Sequence, residues 1–324
     1  MSTPVLFVTN HAPPFRVGAF KALHERENVV FALLGGDVRH GGGGTTDDAF
    51  PFPVIRPPQL TVARIAASGR YRAVIAGISG RIALPAAYAG ARAGRVPFVL
   101  WATIWAHPRT PAHALSYLPL RHIYRHADAI ATYGAHVSAY VRTKHPIGPV
   151  FEAPQAVDSA FWGAAATPDR RADFQLLFAG RPAPEKGFAV LQQAADVGEL
   201  VVAQDRTPEQ LRNLYAGSDV LVVPSLPTRD FLEPWGLVVN EAFHQGVPVI
   251  ATDAVGAAAG GLVRHEHTGL IVPAGDVHAL RAAIHRLHDD AELRHRLGEN
   301  ARDAVAEYTF DAWAQGMSRA LAAC

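Results

Sequence analysis

Along the first half of the chain, short and nearly unbroken apolar runs alternate with longer stretches of helical periodicity. The runs are VLFVT (5–9), VVFALL (29–34), AVIAG (73–77), FVLWAT (98–103), DAIATY (128–133) and VFEA (150–153). A strand that is apolar at almost every position is covered on both faces, as in a parallel sheet held between helices. The intervening segments predict helices over 17–27, 81–94, 113–126 and 134–144. Strand followed by helix, repeated, predicts a Rossmann-like layer.

The pattern breaks at EAPQAVDSAFWGAAATPDRRADF (152–174), which has no period and reads as a linker, with a boundary near residue 158. It then restarts with FQLLFAG (174–180), a helix from 187, ELVVA (199–203), a helix over 208–216 and DVLVVPS (219–225). A helix near Trp235, then VPVIAT (247–252), GLIV (269–272) and helices across 276–306 complete this half. The prediction is an α/β chain of two Rossmann-like domains facing a cleft, over residues 1–158 and 159–308. The closing amphipathic stretch FDAWAQGMSRALA (310–322), within 309–324, is expected to pack back toward the first domain. The run GGGG (41–44) reads as a loop, because no helix signal follows promptly enough for a phosphate cradle.

Ligands of such sheets sit beyond the carboxyl ends of the strands. After LLFAG comes GRPAPEKG (180–187), which sets Gly180, Arg181 and Lys186 between a strand and a helix. Two cations and two glycines there suit a diphosphate, since the cations neutralise charge and the glycines allow close backbone approach. A solvated loop in which Lys186 pairs with Glu185 is the plainer alternative.

After DVLVVPS comes EPWGLVVNE (233–241). Proline is tolerated in a first helical turn, which predicts a helix start near Trp235. Glu233 then lies in the loop, and Glu241 lies about 9 Å along the helix axis. Free amides of Trp235, Gly236 and Leu237 would mark the positive end of the helix. That layout suits an elongated ligand with hydroxyls at both ends and a phosphate between them. Alternatively, Glu233 is an ordinary N-terminal helix acid and Glu241 a surface residue. The apolar neighbours of Glu241 weigh against this, because a buried carboxylate needs hydrogen-bond partners.

Charge narrows the partners: 30 Lys and Arg against 29 Asp and Glu give a formal net charge of +1, without the basic excess of a nucleic-acid binder. The one cysteine, Cys324, leaves no Cys-based zinc site or internal disulfide. The N-terminal apolar run is too short for a signal or membrane span, so a soluble, cytoplasmic protein is expected, with peripheral membrane contact open.

GRPAPEKG, DVLVVPS, EPWGLVVNEAFHQGVPVIATD and HTGLIVPAGDVHALRAAI, in order over about residues 174–313, resemble the nucleotide-binding half of retaining glycosyltransferases of family 4, group 1. APQAVD (153–158) resembles their interdomain stretch. The resemblance implies the two-domain GT-B fold and transfer of a sugar from a nucleoside-diphosphate sugar to a hydroxyl acceptor such as a glycan, lipid-linked sugar or small glycoside. It implies that Arg181 and Lys186 hold the donor diphosphate, that Glu241 binds the ribose hydroxyls and that Glu233 faces the transferred sugar. The amides at Trp235, Gly236 and Leu237 would reach the sugar and phosphate. His107, in LWATIWAHPRT, occupies a place where the family often has a histidine near the sugar, and Gly18 would stand for a glycine-rich first loop.

Two departures stand out. The Gly-Gly pair expected around Gly18 is absent, and between the EKG loop and LVVPS there is only one clear strand, ELVVA, followed by QDRTPEQLRNLYAGSD, where the family has a further strand and helix. The second shortening puts recognition of the base in doubt. No metal or other cofactor is expected, since protein cations take the place of a bridging ion. The competing readings are a nucleotide-sugar 2-epimerase of the same architecture and a non-catalytic sugar-nucleotide binding protein. A dinucleotide oxidoreductase is disfavoured, because no G-x-G-x-x-G follows the first strand.

Overall fold

A computed structural model describes residues 3–35, 50–78 and 82–324. The GGGG run at 41–44 lies outside the described residues. The chain forms two compact units, residues 1–155 with 309–324 and residues 156–308.

The first unit contains β1 (Val5–Thr9), α1 (Pro14–Glu27), β2 (Val29–Leu33), β3 (Val54–Ile55), α2 (Val62–Ala66), β4 (Ala73–Gly77) and α3 (Ala83–Ala93). It continues with β5 (Phe98–Ala102), α4 (Pro111–His126), β6 (Ala129–Thr132), α5 (Ala135–Arg142) and β7 (Val150–Glu152). The strands form one parallel sheet in the order β3-β2-β1-β4-β5-β6-β7. Val5 of β1 is in register with Val29 on one side and Ala73 on the other. Every residue of β1, β4 and β5 is buried, which is why these strands read as unbroken apolar runs.

The second unit contains α6 (Ser159–Trp162), β8 (Gln175–Ala179), α7 (Phe188–Ala194), β9 (Glu199–Ala203), α8 (Pro208–Gly217) and β10 (Val220–Val223). Then come α9 (Val238–His244), β11 (Val249–Thr252), α10 (Gly256–Ala259), β12 (Gly269–Val272), α11 (Val277–Asp289) and α12 (Ala291–Val305). Its parallel sheet has the order β12-β11-β10-β8-β9. The strand order therefore reverses between β8 and β10, the point at which doubly wound sheets bind ligands.

The last helix, α13 (Phe310–Ala322), belongs to the first unit. It brings fully buried Trp313 against Phe20 and Trp101, with ring centroids 5.8 Å apart in both pairs. Phe7, Phe20 and Phe31 extend this aromatic cluster across β1, α1 and β2.

The first helix starts earlier than the sequence reading has it. Helix α1 begins at Pro14, three residues early, because a proline at the first helical position lacks only an amide that would have no intrahelical partner. Gly18 consequently lies inside α1 and not in a loop. A Cβ placed there would overlap the ring of Phe310, so this glycine serves the packing of α13 against α1. The two-residue edge strand β3 is too short to leave a periodic signal.

Candidate active site

The switch point of the second sheet brings the loops after β8 and β10 together. Gly180 leaves β8 with φ +138°, and no atom crowds the place where a side chain would begin. Residues Pro184–Lys186 make one tight helical turn that ends on Gly187, at φ +67°. A Cβ on Gly187 would overlap the carbonyl oxygen of Pro224, so only glycine lets the two loops touch here. The amide of Leu226 donates to the Glu185 carbonyl at 2.9 Å and ties them further.

This contact delivers Lys186 to Glu233. The Lys186 ammonium pairs with Glu233 Oε2, which also accepts from the Ser225 hydroxyl at 3.2 Å. The Ser225 carbonyl is in turn held by the Thr252 hydroxyl at 2.6 Å. Lys186 Nζ also lies 5.3 Å from the centre of the Phe231 ring. Glu233 is buried, at 7% exposure, so its carboxylate depends on these partners. Arg181 is half exposed, and its guanidinium lies 3.8 Å from Glu185. The charge pairing thus differs from the plain alternative: Glu185 faces Arg181, and Lys186 faces Glu233.

The helix after this loop starts later than Pro234 suggests. The proline lies in the loop, and α9 begins at Val238 with Leu237 as its cap. Gly236 has φ +92°, which a helix excludes. The loop is held instead by backbone bonds from Gly256 to the Glu233 carbonyl at 3.1 Å and from Ala257 to the Trp235 carbonyl at 2.8 Å. The Trp235 side chain is core: its indole donates to Asn240 at 2.7 Å and its ring lies 5.7 Å from Tyr308. The amides of Trp235 and Gly236 therefore precede the helix and do not form its first turn.

Glu241 sits in the first turn of α9, not deep along the helix. It accepts a 2.8 Å hydrogen bond from the hydroxyl of Tyr215 on α8. Burial pushes its pKa up to about 7, and the Tyr215 bond pulls the other way. Burial also raises Tyr215 well above the usual phenol range. Tyr215, Ser225 and Phe231 had no signal in the sequence reading. Ser225 alone could have been noticed, as the polar residue leaving an apolar strand.

In the first unit, His107 follows β5 and is anchored to the start of α4. Its Nε2 bonds the His113 carbonyl at 2.9 Å, and its ring lies 4.9 Å from Tyr117. Nδ1 is buried with no hydrogen-bond partner. A second group passed unnoticed in the sequence. The buried Arg16 guanidinium donates to the Tyr133 hydroxyl at 2.7 Å and lies 5.1 Å from the rings of both Trp101 and Tyr133. Burial lowers its pKa, and among the described residues no carboxylate pairs with it. Nearby in sequence, Asn10 Oδ1 and both ring nitrogens of His11 are buried without hydrogen-bond partners. Asn10 and His11 follow β1, Trp101 lies near the end of β5 and Tyr133 follows β6, so the group that Arg16 of α1 joins gathers at the carboxyl ends of these strands.

Residues 162–304 match the family described as glycosyl transferases, group 1. The match takes in every residue of the β8–β10 site. Among curated proteins, the D-inositol 3-phosphate glycosyltransferase of Corynebacterium glutamicum (strain R) is 38% identical over 116 residues, covering 35% of this chain and 25% of that protein. An exopolysaccharide phosphotransferase of Streptomyces coelicolor is 41% identical over 86 residues, covering 26% of this chain and 9% of that protein. The chain thus spans about a quarter or less of the length of these two relatives. Among solved structures, sucrose-phosphate synthase of Thermosynechococcus elongatus superposes with a TM-score of 0.77 at 18% identity, over 98% of each chain. Anabaena HepE in complex with UDP-glucose gives 0.75 at 16% identity, over the whole of both chains. At such identities the likeness is one of fold: two parallel-sheet α/β domains of the GT-B type. Among the described residues, no helix is long and apolar enough to cross a membrane.

Proposed function

We propose that this protein is a retaining glycosyltransferase of family 4 that moves a sugar from a nucleoside-diphosphate sugar to a hydroxyl acceptor. The observation that carries the reading is the Lys186–Glu233 pair at the switch point of a sheet that lies within the group 1 match. The relatives add support: several bear the name of glycosyltransferases, and one neighbour in fold was solved with UDP-glucose. UDP-sugars are therefore the first donors to try.

In this reading, Arg181 and Lys186 take the donor diphosphate, and Lys186 then has an anion on each side. Charge that grows on the departing phosphate in the transition state is stabilised by these cations where it develops. Glu233 is held by Ser225 and Lys186, which suits it to accept hydrogen bonds from sugar hydroxyls better than to attack the anomeric carbon. The departing phosphate oxygen takes the acceptor's proton on the same face, a step that depends on positioning. Glu241, oriented by Tyr215, accepts from the ribose diol. His107 belongs to the other unit and is assigned to the sugar side on the resemblance alone. No cofactor takes part in this scheme, and the enzyme works in the cytoplasm.

The test is consumption of UDP-, GDP-, ADP- and dTDP-sugars by the purified chain, with a panel of hydroxyl acceptors and without one. Transfer with retention is read as an α-linked product from an α-donor by NMR. A new sugar epimer from donor alone would replace the reading with a 2-epimerase. Tight donor binding with no nucleotide release under any acceptor would replace it with a binding protein.

A further inference from the structure

The outward side of α4 joins apolar and basic groups. Leu115 and Leu118 are 85% and 69% exposed. Ile147 is 72% exposed, and its amide donates at 2.9 Å to the carbonyl of Arg125, in the last turn of the helix. Single exposed leucines are ordinary on a protein surface. Here three large apolar side chains belong to one helix face and the loop bonded to it. Positions 115, 118, 122 and 125 follow at steps of three and four and so share one side of the helix. Ile123 and Tyr124, on the other side, are buried.

The charge around this face has one sign. Residues 96–151 contain five Arg and Lys and a single carboxylate, Asp128. Asp128 is already held by both arms of the Arg92 guanidinium, at 2.8 and 3.1 Å. Arg121 and Arg125 are exposed on the last turns of α4, on the same outward side as the leucines. The chain as a whole is nearly neutral, at +1, so the excess is local.

An occupant of this face must accept apolar side chains and supply negative charge. A second copy in a two-fold contact would bring two copies each of Arg121 and Arg125 into one interface and desolvate like charges, while the one carboxylate of residues 96–151, Asp128, is already held by Arg92. A nucleic acid would pair with the arginines and leave the leucines in water. A bilayer with anionic headgroups meets both requirements, because leucines enter at the headgroup boundary while arginines stay among the lipid phosphates.

We propose that unit 1 docks on an anionic lipid surface through the outward face of α4, with Leu115 and Leu118 inserted and Arg121 and Arg125 on the headgroups. The helix lies on the bilayer and does not cross it. The inference stands apart from the reading of the donor site, since none of these residues belongs to it.

The experiment is co-sedimentation of the full chain with vesicles of phosphatidylcholine alone and of phosphatidylcholine mixed with phosphatidylglycerol. Wild-type protein sediments with the mixed vesicles, less so as salt rises, and stays in solution with the neutral ones. Arg121→Gln with Arg125→Gln lowers the partition by about tenfold or more. Leu115→Gln with Leu118→Gln lowers it comparably, even at low salt. All four positions are exposed and glutamine favours helix, so melting temperatures stay at the wild-type value; if a double variant melts early, its single exchanges at 118 and 125 are read in its place. The proposal is overturned if wild type fails to bind the mixed vesicles, or if both variants bind as wild type does. It is also overturned by a dimer that the leucine exchanges dissolve while vesicles are ignored, which would give the face to a second copy.

Discussion

The two units share a parallel architecture and treat buried charge in opposite ways. At the switch point of the second sheet, Lys186 and Glu233 neutralise each other, and Ser225 takes up further bonding capacity of the acid. At the corresponding edge of the first sheet, Arg16 is buried among aromatic rings with a phenol hydroxyl and, among the described residues, no carboxylate. A site with its own counter-charge is stable when empty, and an anionic ligand must share the cation with the acid already there. A lone buried guanidinium is costly until something negative arrives. One edge is satisfied at rest, and the other is held in place by packing.

The largest expected effect on this contrast is Lys186→Ala. It should lower the turnover number by about 10²–10³ while changing the donor KM much less, because the cation acts most strongly on charge that develops in the transition state. Steady-state kinetics with an identified donor check this, and a raised donor KM with an unchanged turnover number would make Lys186 a simple donor anchor. Next, Glu233→Ala should cost stability, about 1–3 kcal/mol in chemical denaturation, by leaving a partly buried ammonium without its acid. Arg16→Met should leave stability unchanged or raise it, since it removes an unpaired buried charge of similar volume. If both exchanges destabilise alike, the contrast between the units is false.

Packing provides a third case. Gly18→Ala should cost about 1–3 kcal/mol, read as a lowered melting temperature, because the ring of Phe310 must move to admit a methyl group. Phe310→Ala in the same chain should recover part of that loss.

The smallest effect is in pH. Burial holds Glu241 at a pKa of about 7, above its ordinary value, so folding favours the neutral acid. Its contribution to stability is therefore fully present below the unfolded pKa and is lost as pH rises toward 7. Donor binding should run the other way, weakening severalfold as pH falls through 7, because the ionised form is the better acceptor for a diol. Glu241→Gln should flatten both trends, in melting curves and in donor titrations respectively.

The strands were legible because most are buried on both sides and even the half-exposed edge strand β9 is apolar after its first residue: VLFVT, AVIAG, ELVVA and GLIV match β1, β4, β9 and β12 end to end. From those runs the fold class follows. Helix starts near prolines were harder, for a physical reason. Pro14 opens a helix whereas Pro234 stands four residues before one, and what separates them is tertiary: the loop around Pro234 is bonded to residues 256 and 257. The sequence reading placed Arg181, Lys186, Glu233 and Glu241 after strands. The pairing of Lys186 with Glu233, 47 residues apart, depends on β8 and β10 being neighbours. No spacing rule contains that adjacency. Tyr215 is similar, since its partner Glu241 sits on another helix.

The first unit is not a continuous piece of the polypeptide: its aromatic centre includes Trp313, which follows some 150 residues that build the other unit. During synthesis, then, the part made first must wait with Phe20 and Trp101 lacking their neighbour until the whole of the other unit has left the ribosome. Expressing residues 1–155 alone should yield a sticky, half-finished body, and supplying 309–324 as a fused or separate peptide should mend it.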